Sequence, residues 1–373
     1  MGFFLPMPPA AGGATEKSWN QLALEFSRRG HGVTIISRQW PGWPSHETIG
    51  GVRHLRLRGF DHTRRLSRNL WRDFLWSLRA GRALPAADVT IVNCIALPVW
   101  LGWRRRAAGK LVVMTGRMPK GQYRAYRRID RILAVSTPVR DAVLAENPGL
   151  ASRIRITGYP IDWRAHARPG PDRPTGAPVV IGFVGRIHRE KGLDLLIAAL
   201  GRLAARADLP PWRAVICGPA GVAQGGSGEE YLAELKAHLE ALKPAGPWEF
   251  RPPEFTELNL VRLYRSLDIF CYPSLAPRGE TFGVAVAEAM AAGAVPVVSN
   301  LPCFGDFVRA GENGEVFDPA GEGSARRLAD ALAGLVGDPV RRSRLSLAAC
   351  AEVLKYDCVS FADRLIEDFS TLR

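Results

Sequence analysis

Two glutamates, Glu280 and Glu288, stand eight positions apart in a stretch of otherwise apolar or small residues. Glu288 is the only ionisable side chain in residues 282–292, a run of Val, Ala and Met that predicts a buried helix. A buried carboxylate is costly unless it is hydrogen-bonded, and a sugar or ribose diol offers two hydroxyl donors. Glu280 precedes that helix and follows a predicted strand, where open α/β sheets place their ligands. The alternatives are a Glu288 paired with a core arginine and a Glu280 that only caps a helix.

A glycine-bearing loop at residues 182–192 follows one predicted strand and precedes a predicted helix. Such a loop exposes backbone N–H groups at the positive end of the helix dipole, beside the cations Arg186 and Lys191. Together with Gly185 they suit a diphosphate, whereas the alternative is a tight turn with solvated cations. His188 lies in the same loop, and we interpret it as a surface residue. The pattern favours phosphate binding.

The order of predicted strands and helices indicates the elements that position these groups. Strands and helices alternate along the chain, an order that predicts mostly parallel sheets covered on both faces and therefore an α/β fold. The predicted strands are residues 2–7, 33–37, 52–57, 89–93, 111–115, 132–135, 154–157, 179–184, 214–217, 248–250, 269–272, 295–299 and 315–317. The principal predicted helices are residues 15–29, 193–204, 282–292, 339–354 and 360–370. Residues 164–178 contain six prolines or glycines and predict an interdomain linker.

The charge is concentrated in the first half of the chain. The 373 residues carry a net charge of +14, but residues 1–175 contain 29 Lys and Arg against 11 Asp and Glu. This asymmetry indicates that the first half of the chain contacts an anionic partner, such as an anionic membrane, an acidic acceptor or nucleic acid. Nucleic acid is disfavoured, because the arginines are spread over several elements without a recognisable binding module.

A basic stretch with aromatic residues occupies residues 64–79, and residues 100–106 and 124–131 add further arginines. It fits an amphipathic helix on anionic lipid, or equally a helix with an apolar core face and a solvated arginine face. No run of eighteen uncharged apolar residues exists, and the six cysteines form no CxxC pair. We therefore expect a cytoplasmic protein with reduced cysteines, and peripheral contact with the inner face of the membrane is the additional hypothesis. The seven histidines include no pair at ligand spacing, so no metal site is expected.

The order of these motifs resembles the retaining family 4 glycosyltransferases over nearly the whole chain. The matching residues are Gly12-Gly13, Gly185-Arg186 with Lys191-Gly192, Pro273-Ser274, and Glu280-x7-Glu288. The most specific parts are the Gly185 to Gly192 loop and the two spaced glutamates. The resemblance implies the GT-B fold, in which two Rossmann-like domains face each other across a cleft. It implies an acceptor-binding domain at residues 1–165, a nucleotide-sugar-binding domain at 178–355, and a final helix at 356–373 that packs back on the first domain.

The resemblance also implies a reaction. A hexosyl unit would pass from a nucleoside diphosphate sugar, with UDP-sugar favoured over GDP-sugar, to an acceptor hydroxyl with retention of anomeric configuration. The acceptor would be a saccharide, a lipid-linked molecule or a small molecule, in glycan, glycolipid or natural-product glycoside synthesis. The nucleotide sugar is a co-substrate, and no cofactor or metal is expected.

The family's functional residues map onto this chain at defined positions. Arg186 and Lys191 would hold the diphosphate, Glu280 would contact the donor sugar, and Glu288 would take the ribose hydroxyls. The remaining donor-binding positions are Gly185, the backbone amides of Phe282, Gly283 and Val284, the closely approaching Gly12 and Gly13, and Arg251, which lies where the family contacts the base.

One departure concerns the first domain. Many members carry a histidine near the donor sugar, after a strand matching residues 111–115, and this chain has Thr115-Gly116-Arg117 there. Thr115 or Arg117 would take over that contact, or they are only a strand end and a solvated cation. The missing histidine motivates the rival hypothesis of a non-catalytic sugar-nucleotide or glycan-binding protein. A GT-B phosphorylase or synthase is a further alternative, but no cofactor-lysine motif favours it.

Overall fold

The chain forms two compact units. The computed structural model describes residues 1–9, 14–61, 63, 65–101, 108–167, 176–241, 248–254 and 256–372. One unit contains Met1–Pro160 and Cys358–Arg373, and the other contains Ile161–Asp357. The division falls just before the predicted linker at residues 164–178, of which residues 168–175 lie outside the described part.

The first unit contains two sheets. Its strands are β1 (Thr34–Arg38), β2 (His46–Ile49), β3 (Val52–Leu57), β4 (Val89–Val92), β5 (Lys110–Thr115), β6 (Arg131–Ala134) and β7 (Ile154–Ile156). The first three form a sheet of order β1-β3-β2, in which β3 is parallel to β1 and antiparallel to β2. The other four form a parallel sheet in chain order. Its helices are α1 (Ala14–Arg28), α2 (Leu66–Ala83), α3 (Leu97–Leu101) and α4 (Thr137–Glu146).

The predicted first strand at residues 2–7 is wrong. This segment does pack beside the three-stranded sheet, because Met7 N–H donates to Ser37 Oγ at 3.3 Å and Phe60 N–H donates to Phe3 O at 3.0 Å. It forms no regular ladder, however, and Pro6 and Pro8 remove two of the backbone donors that a ladder requires. The antiparallel strand β2 was not predicted.

The second unit contains one six-stranded parallel sheet of order β10-β9-β8-β11-β12-β13. These strands are β8 (Val179–Val184), β9 (Trp212–Cys217), β10 (Trp248–Arg251), β11 (Ile269–Tyr272), β12 (Val295–Ser299) and β13 (Glu315–Phe317). The helices are α5 (Trp163–His166), α6 (Leu193–Ala204), α7 (Glu229–Ala241), α8 (Glu257–Arg265), α9 (Val284–Ala291), α10 (Ser324–Gly337) and α11 (Pro339–Val353). The direction in which strands are added reverses between β8 and β11, so the carboxyl ends of these two strands frame the usual ligand crevice of an open α/β sheet.

The last helix, α12 (Cys358–Ser370), belongs to the first unit and packs against α1. Arg29, which follows α1, joins the two helices through Asp363 at 2.8 Å and the carbonyl oxygen of Val359 at 2.9 Å. Arg131 at the start of β6 bonds Asp368 at 2.8 Å. The first unit is therefore closed by a segment that comes last in the chain.

The apolar helix α9 begins two residues later than predicted. Gly283 has a φ of 95° and caps it in the left-handed conformation, which ends the preceding loop and starts the helix. Val286 to Ala291 are buried, including Glu288, but Val284 and Ala285 are only half-buried. The prediction of a helix buried on all sides therefore holds for its last two turns.

Candidate functional site

Two loops meet at the point where the strand order reverses. One follows β8 and carries Arg186 and Lys191, and the other follows β11 and leads to Glu280. Leu275 N–H in the second loop donates to Glu190 O in the first at 2.7 Å. A Cβ at Gly192 would overlap the carbonyl oxygen of Pro273, so a glycine is required for this approach.

Glu280 and Lys191 form a buried ion pair between these loops. The Lys191 ammonium contacts Oε1 of Glu280, and the two side chains are only 7% and 8% exposed. The hydroxyls of Tyr272 and Ser274 donate to the same oxygen at 3.1 and 3.3 Å. Among the described residues, Oε2 of Glu280 has no hydrogen-bond partner. Three donors therefore hold one oxygen of Glu280 in place and leave the other for a ligand.

Tyr272 has two roles in this cluster. Its ring stacks on Phe183 with centroids 5.5 Å apart, and the Lys191 ammonium lies 5.3 Å from the Tyr272 ring centroid. Burial, and then the negative charge of Glu280, raise the pKa of Tyr272 well above its ordinary value. Its hydroxyl therefore stays protonated at neutral pH and acts as a donor to Glu280.

Glu288 lies 6% exposed on α9, and its partner is the hydroxyl of Tyr264 on α8. Burial and the neighbouring Glu288 raise the pKa of Tyr264 well above its ordinary value, so this hydroxyl is also a donor. A tyrosine is therefore one of the partners of Glu288, which the sequence did not predict. Tyr264 is a neutral donor, so this hydrogen bond adds no positive charge beside Glu288.

Arg186 is held at the rim of the same crevice. Its side chain is 43% exposed, and it donates to Gly225 O at 2.7 Å and pairs with Glu190 at 3.0 Å. The glycine-rich loop after β9 lies against this segment, because Ser227 N–H donates to Ile187 O at 2.9 Å. These contacts show that the glycine-rich loop supports the Arg186 loop.

The segment before α9 contributes backbone. The Phe282 ring packs in the core, 4.9 Å from the Phe307 ring centroid and 5.0 Å from that of Tyr356. A Cβ at Gly283 would approach the Phe304 ring to 2.6 Å. The first N–H groups of α9, including that of Val284, have no partner within the helix and lie on the same loop as Glu280. This geometry suits an anionic or hydroxyl oxygen.

The remaining predicted residues each have their own local surroundings. Arg251 ends β10 and makes two bonds to Glu249, at 2.8 and 3.0 Å, so its guanidinium already has a carboxylate partner. Gly12 and Gly13 lie outside the described residues. Thr115 is buried with its hydroxyl bonded to Tyr123, whereas Arg117 is exposed near the Phe4 ring, with centroid and guanidinium 5.8 Å apart. Of the two, only Arg117 has a side chain directed away from the core.

Sequence reasoning assigned no role to three side chains that define this site, Tyr272, Ser274 and Tyr264. Tyr272 and Ser274 could have been proposed from their position at the carboxyl end of a predicted strand next to Glu280. Tyr264 could not, because nothing in the spacing links α8 to Glu288. In the described ranges, no cluster of three or more His, Cys, Asp or Glu side chains could hold a metal ion.

Residues 170–350 match the family model described as glycosyl transferases group 1. The D-inositol 3-phosphate glycosyltransferase of Rhodococcus opacus is 29% identical, over 67% of this chain and 55% of that protein. The phosphatidyl-myo-inositol mannosyltransferase of Mycobacterium tuberculosis is 30% identical, over 60% of this chain and 51% of that protein. The chain thus spans about half the length of these curated relatives.

Similar solved structures cover the whole chain. Anabaena HepE, in complex with UDP and glucose, has a TM-score of 0.71 and 19% identity, over 99% of both chains. At that identity the similarity establishes the fold, and the predicted α/β class with two Rossmann-like domains is confirmed.

Proposed function

We propose that this chain, which resembles the family 4 glycosyltransferases and has the GT-B fold, transfers a hexosyl unit from a nucleoside diphosphate sugar to an acceptor hydroxyl with retention. The observation that carries this proposal is the buried Lys191–Glu280 pair, which lies where the strand order reverses and leaves Oε2 of Glu280 without a partner among the residues that the structure describes. A UDP-sugar is the favoured donor, and the UDP and glucose bound to the similar HepE structure support this choice.

The site geometry supports a division of roles among its side chains. An ammonium group has three donors, so Lys191 can hold Glu280 and still donate to a diphosphate oxygen beside Arg186. These two cations would stabilise the charge that develops on the leaving diphosphate. Oε2 of Glu280 would accept from a donor-sugar hydroxyl, and Glu288 would accept from the ribose.

Retention requires no protein base in this scheme. The bond from the anomeric carbon to the diphosphate oxygen breaks while the bond to the acceptor oxygen forms on the same face of the sugar. The acceptor proton passes to the departing diphosphate oxygen. The absence of a histidine after β5 is therefore compatible with catalysis, and no metal or cofactor takes part in any step.

We extend the proposal to the acceptor and the setting of the reaction. One relative is named a phosphatidyl-myo-inositol mannosyltransferase, which favours a lipid-linked acceptor over a free saccharide or a small molecule. Six free cysteines fit a cytoplasmic protein, and the net positive charge of the first half fits peripheral contact with an anionic membrane. No described helix has the length and apolar composition needed to span a membrane.

The test is release of nucleoside diphosphate from candidate sugar nucleotides, with lipid and saccharide acceptors supplied as pools. We expect turnover without added metal, loss of at least about 100-fold for Glu280→Ala, and unchanged turnover for Glu312→Ala, which removes a largely exposed glutamate of the same unit. Inversion at the anomeric carbon in the product would contradict retention, and loss of turnover on chelation would contradict a metal-independent reaction. Tight donor binding without turnover in any pool would instead support the non-catalytic binding protein.

A further inference from the structure

The helix α2 buries several polar side chains and exposes large apolar ones. Polar side chains are among those it buries, and Asp73 accepts hydrogen bonds from the backbone N–H groups of Ile95 and Ala96 at 3.1 and 2.8 Å. Large apolar side chains are exposed on its outer side, with Leu70 42% and Trp71 61% accessible. A surface helix usually turns charged and polar side chains to water and apolar ones to the core. The helix therefore has a core face that includes Trp76 and Ala80, and exposed apolar side chains in addition to exposed arginines.

The exposed apolar side chains form a continuous patch. Trp71 stacks on Phe74 with centroids 5.5 Å apart, and Phe74 packs edge-on against Trp100 of α3 at 5.6 Å. Trp100 is itself 42% exposed, as is Leu66 at 55%. We call these four side chains together with Leu70 the aromatic patch. Tryptophan is the side chain that most favours the boundary between hydrocarbon and lipid headgroups.

Arginines border the aromatic patch. Arg65, Arg68, Arg72 and Arg79 follow at helical spacing along one side of α2, and Arg82 lies at its end. Arg65, Arg68 and Arg82 are exposed, and in the described part of the chain their guanidinium groups have no partner. The only acidic residue of α2 is the buried Asp73. Arg72 and Arg79 donate to the carbonyl oxygens of Asp61 and Arg58. The exposed arginines beside the aromatic patch are complementary to an anionic surface with an apolar interior.

We propose that the aromatic patch of α2 and its bordering arginines dock on an anionic lipid bilayer. The apolar side chains enter the interfacial region, and Arg65, Arg68 and Arg82 contact headgroup phosphates. This inference deepens the membrane contact included in the proposed function by naming its surface. It does not depend on the donor chemistry, because binding to a bilayer requires no turnover.

The test is flotation of the full-length protein with vesicles of phosphatidylcholine alone or with about 30% phosphatidylglycerol. We expect binding to the anionic vesicles only, and a marked loss of binding in about 1 M salt, at which exposed charges are screened within about 3 Å. The double variant Leu70→Ser with Trp71→Ser should weaken binding at least tenfold. Arg68→Glu should weaken it about fivefold or more, the factor expected for a basic residue near an anionic surface.

Matched variants of the second unit provide the controls. Val340 and Leu347 are 79% and 72% exposed, so Val340→Ser with Leu347→Ser removes similar apolar area. Arg326→Glu reverses a similarly exposed arginine, 77% accessible. We expect both controls to bind as the wild type does, and all variants to retain the wild-type circular dichroism spectrum and melting temperature.

Three outcomes would overturn the inference. They are failure of the wild type to bind anionic vesicles, equal loss of binding in the α2 variants and their controls, and lipid-free self-association that Trp71→Ser abolishes. The last would identify a second copy of the chain as the occupant. Vesicle binding that depends on the aromatic patch, together with absent turnover in every acceptor pool, would uphold this inference and overturn the proposed function.

Discussion

The two carboxylate oxygens of Glu280 have different surroundings. Lys191, Tyr272 and Ser274 all donate to Oε1, so the carboxylate has one fixed oxygen and one available oxygen. A buried ion pair adds little net stability compared with an apolar pair of the same volume. Removal of one partner, however, leaves the other charge buried and unpaired. The pair is therefore better explained by ligand binding than by folding.

A first prediction separates the two tyrosines that hold the two glutamates. Tyr272→Phe keeps the ring against Phe183 and removes the hydrogen bond to Glu280. A hydrogen bond to a charged group contributes about 1.5–3 kcal/mol, so we expect kcat to fall about tenfold or more. Tyr264→Phe removes the bond to Glu288, and we expect mainly a rise in the donor KM. Steady-state kinetics with varied donor measures both. Equal changes in kcat and KM for the two variants would contradict the assigned roles.

A second prediction concerns His54 in β3, which is 1% exposed. Burial, and then the positive charge of Arg56, lower the pKa of His54, against a raising effect of Glu47 and the Met7 backbone. The unfolded chain binds this proton first, near the ordinary pKa of about 6.5, so the free energy of unfolding should fall as the pH drops below that value.

The measurement for His54 is denaturant unfolding between about pH 5 and 7.5. Below about pH 6.5, His54→Gln should reduce the slope of the free energy of unfolding against pH. The reduction should correspond to at most about one bound proton. His238→Gln, at an exposed position of α7, serves as the comparison. An unchanged slope in His54→Gln would show that this histidine does not control the acid sensitivity.

At the scale of elements, the site depends on how closely two loops approach. Gly192 has a φ of 69° and lies against the Pro273 carbonyl, and the Cβ of any other residue at Gly218 would overlap the carbonyl oxygen of Gly185. The strands β8, β9 and β11 bring these loops together because each loop leaves the same edge of a parallel sheet. Side chains of Lys191 and Glu280 meet only if both approaches are preserved.

A third prediction tests this closeness. Gly192→Ala combines a left-handed backbone with a clash, and we expect it to destabilise the protein by about 2–3 kcal/mol and to lower turnover. Gly311→Ala has a similar φ of 73° but nothing within 4 Å of the added Cβ. It should cost only about 1 kcal/mol and leave turnover unchanged. Equal losses of stability in chemical denaturation would contradict a steric requirement at Gly192.

At the scale of the whole molecule, the chain ends by returning to its first unit. The helix α12 buries Phe361 and Leu365 in the core of that unit, although some 200 residues of the second unit intervene. The two units have separate cores, so damage to one core should be felt mainly in that unit.

A fourth prediction follows from this organisation. Leu365→Ala and Leu345→Ala each remove a buried leucine, from α12 in the first unit and from α11 in the second. Each should cost about 2–5 kcal/mol. Hydrogen exchange should then accelerate in residues 1–160 for Leu365→Ala and in residues 161–357 for Leu345→Ala. Acceleration spread evenly over both units by either variant would contradict separate cores.

The amino-acid sequence by itself determined the alternation of strands and helices and the α/β class, and it carried the resemblance to the family 4 glycosyltransferases. Strands β8, β11, β12 and β13 occur at their predicted bounds, because a short run of buried Val, Ile and Phe between turn residues is a local signal. The grouping of Arg186, Lys191 and Glu280 also followed from sequence, since loops after parallel strands share one edge of the sheet.

Only the tertiary structure decided which atoms those groups share. The donors to Glu280, the pairing of Glu288 with Tyr264, and the exposure of Leu70 and Trp71 on α2 all depend on packing between segments distant in the chain. The predicted strand at residues 2–7 does not form. Its apolar pattern is a local signal, but its prolines lack the N–H donors that pairing with a neighbouring strand requires. Periodicity predicts that a segment is buried, whereas the partner of a buried polar group is chosen by the fold.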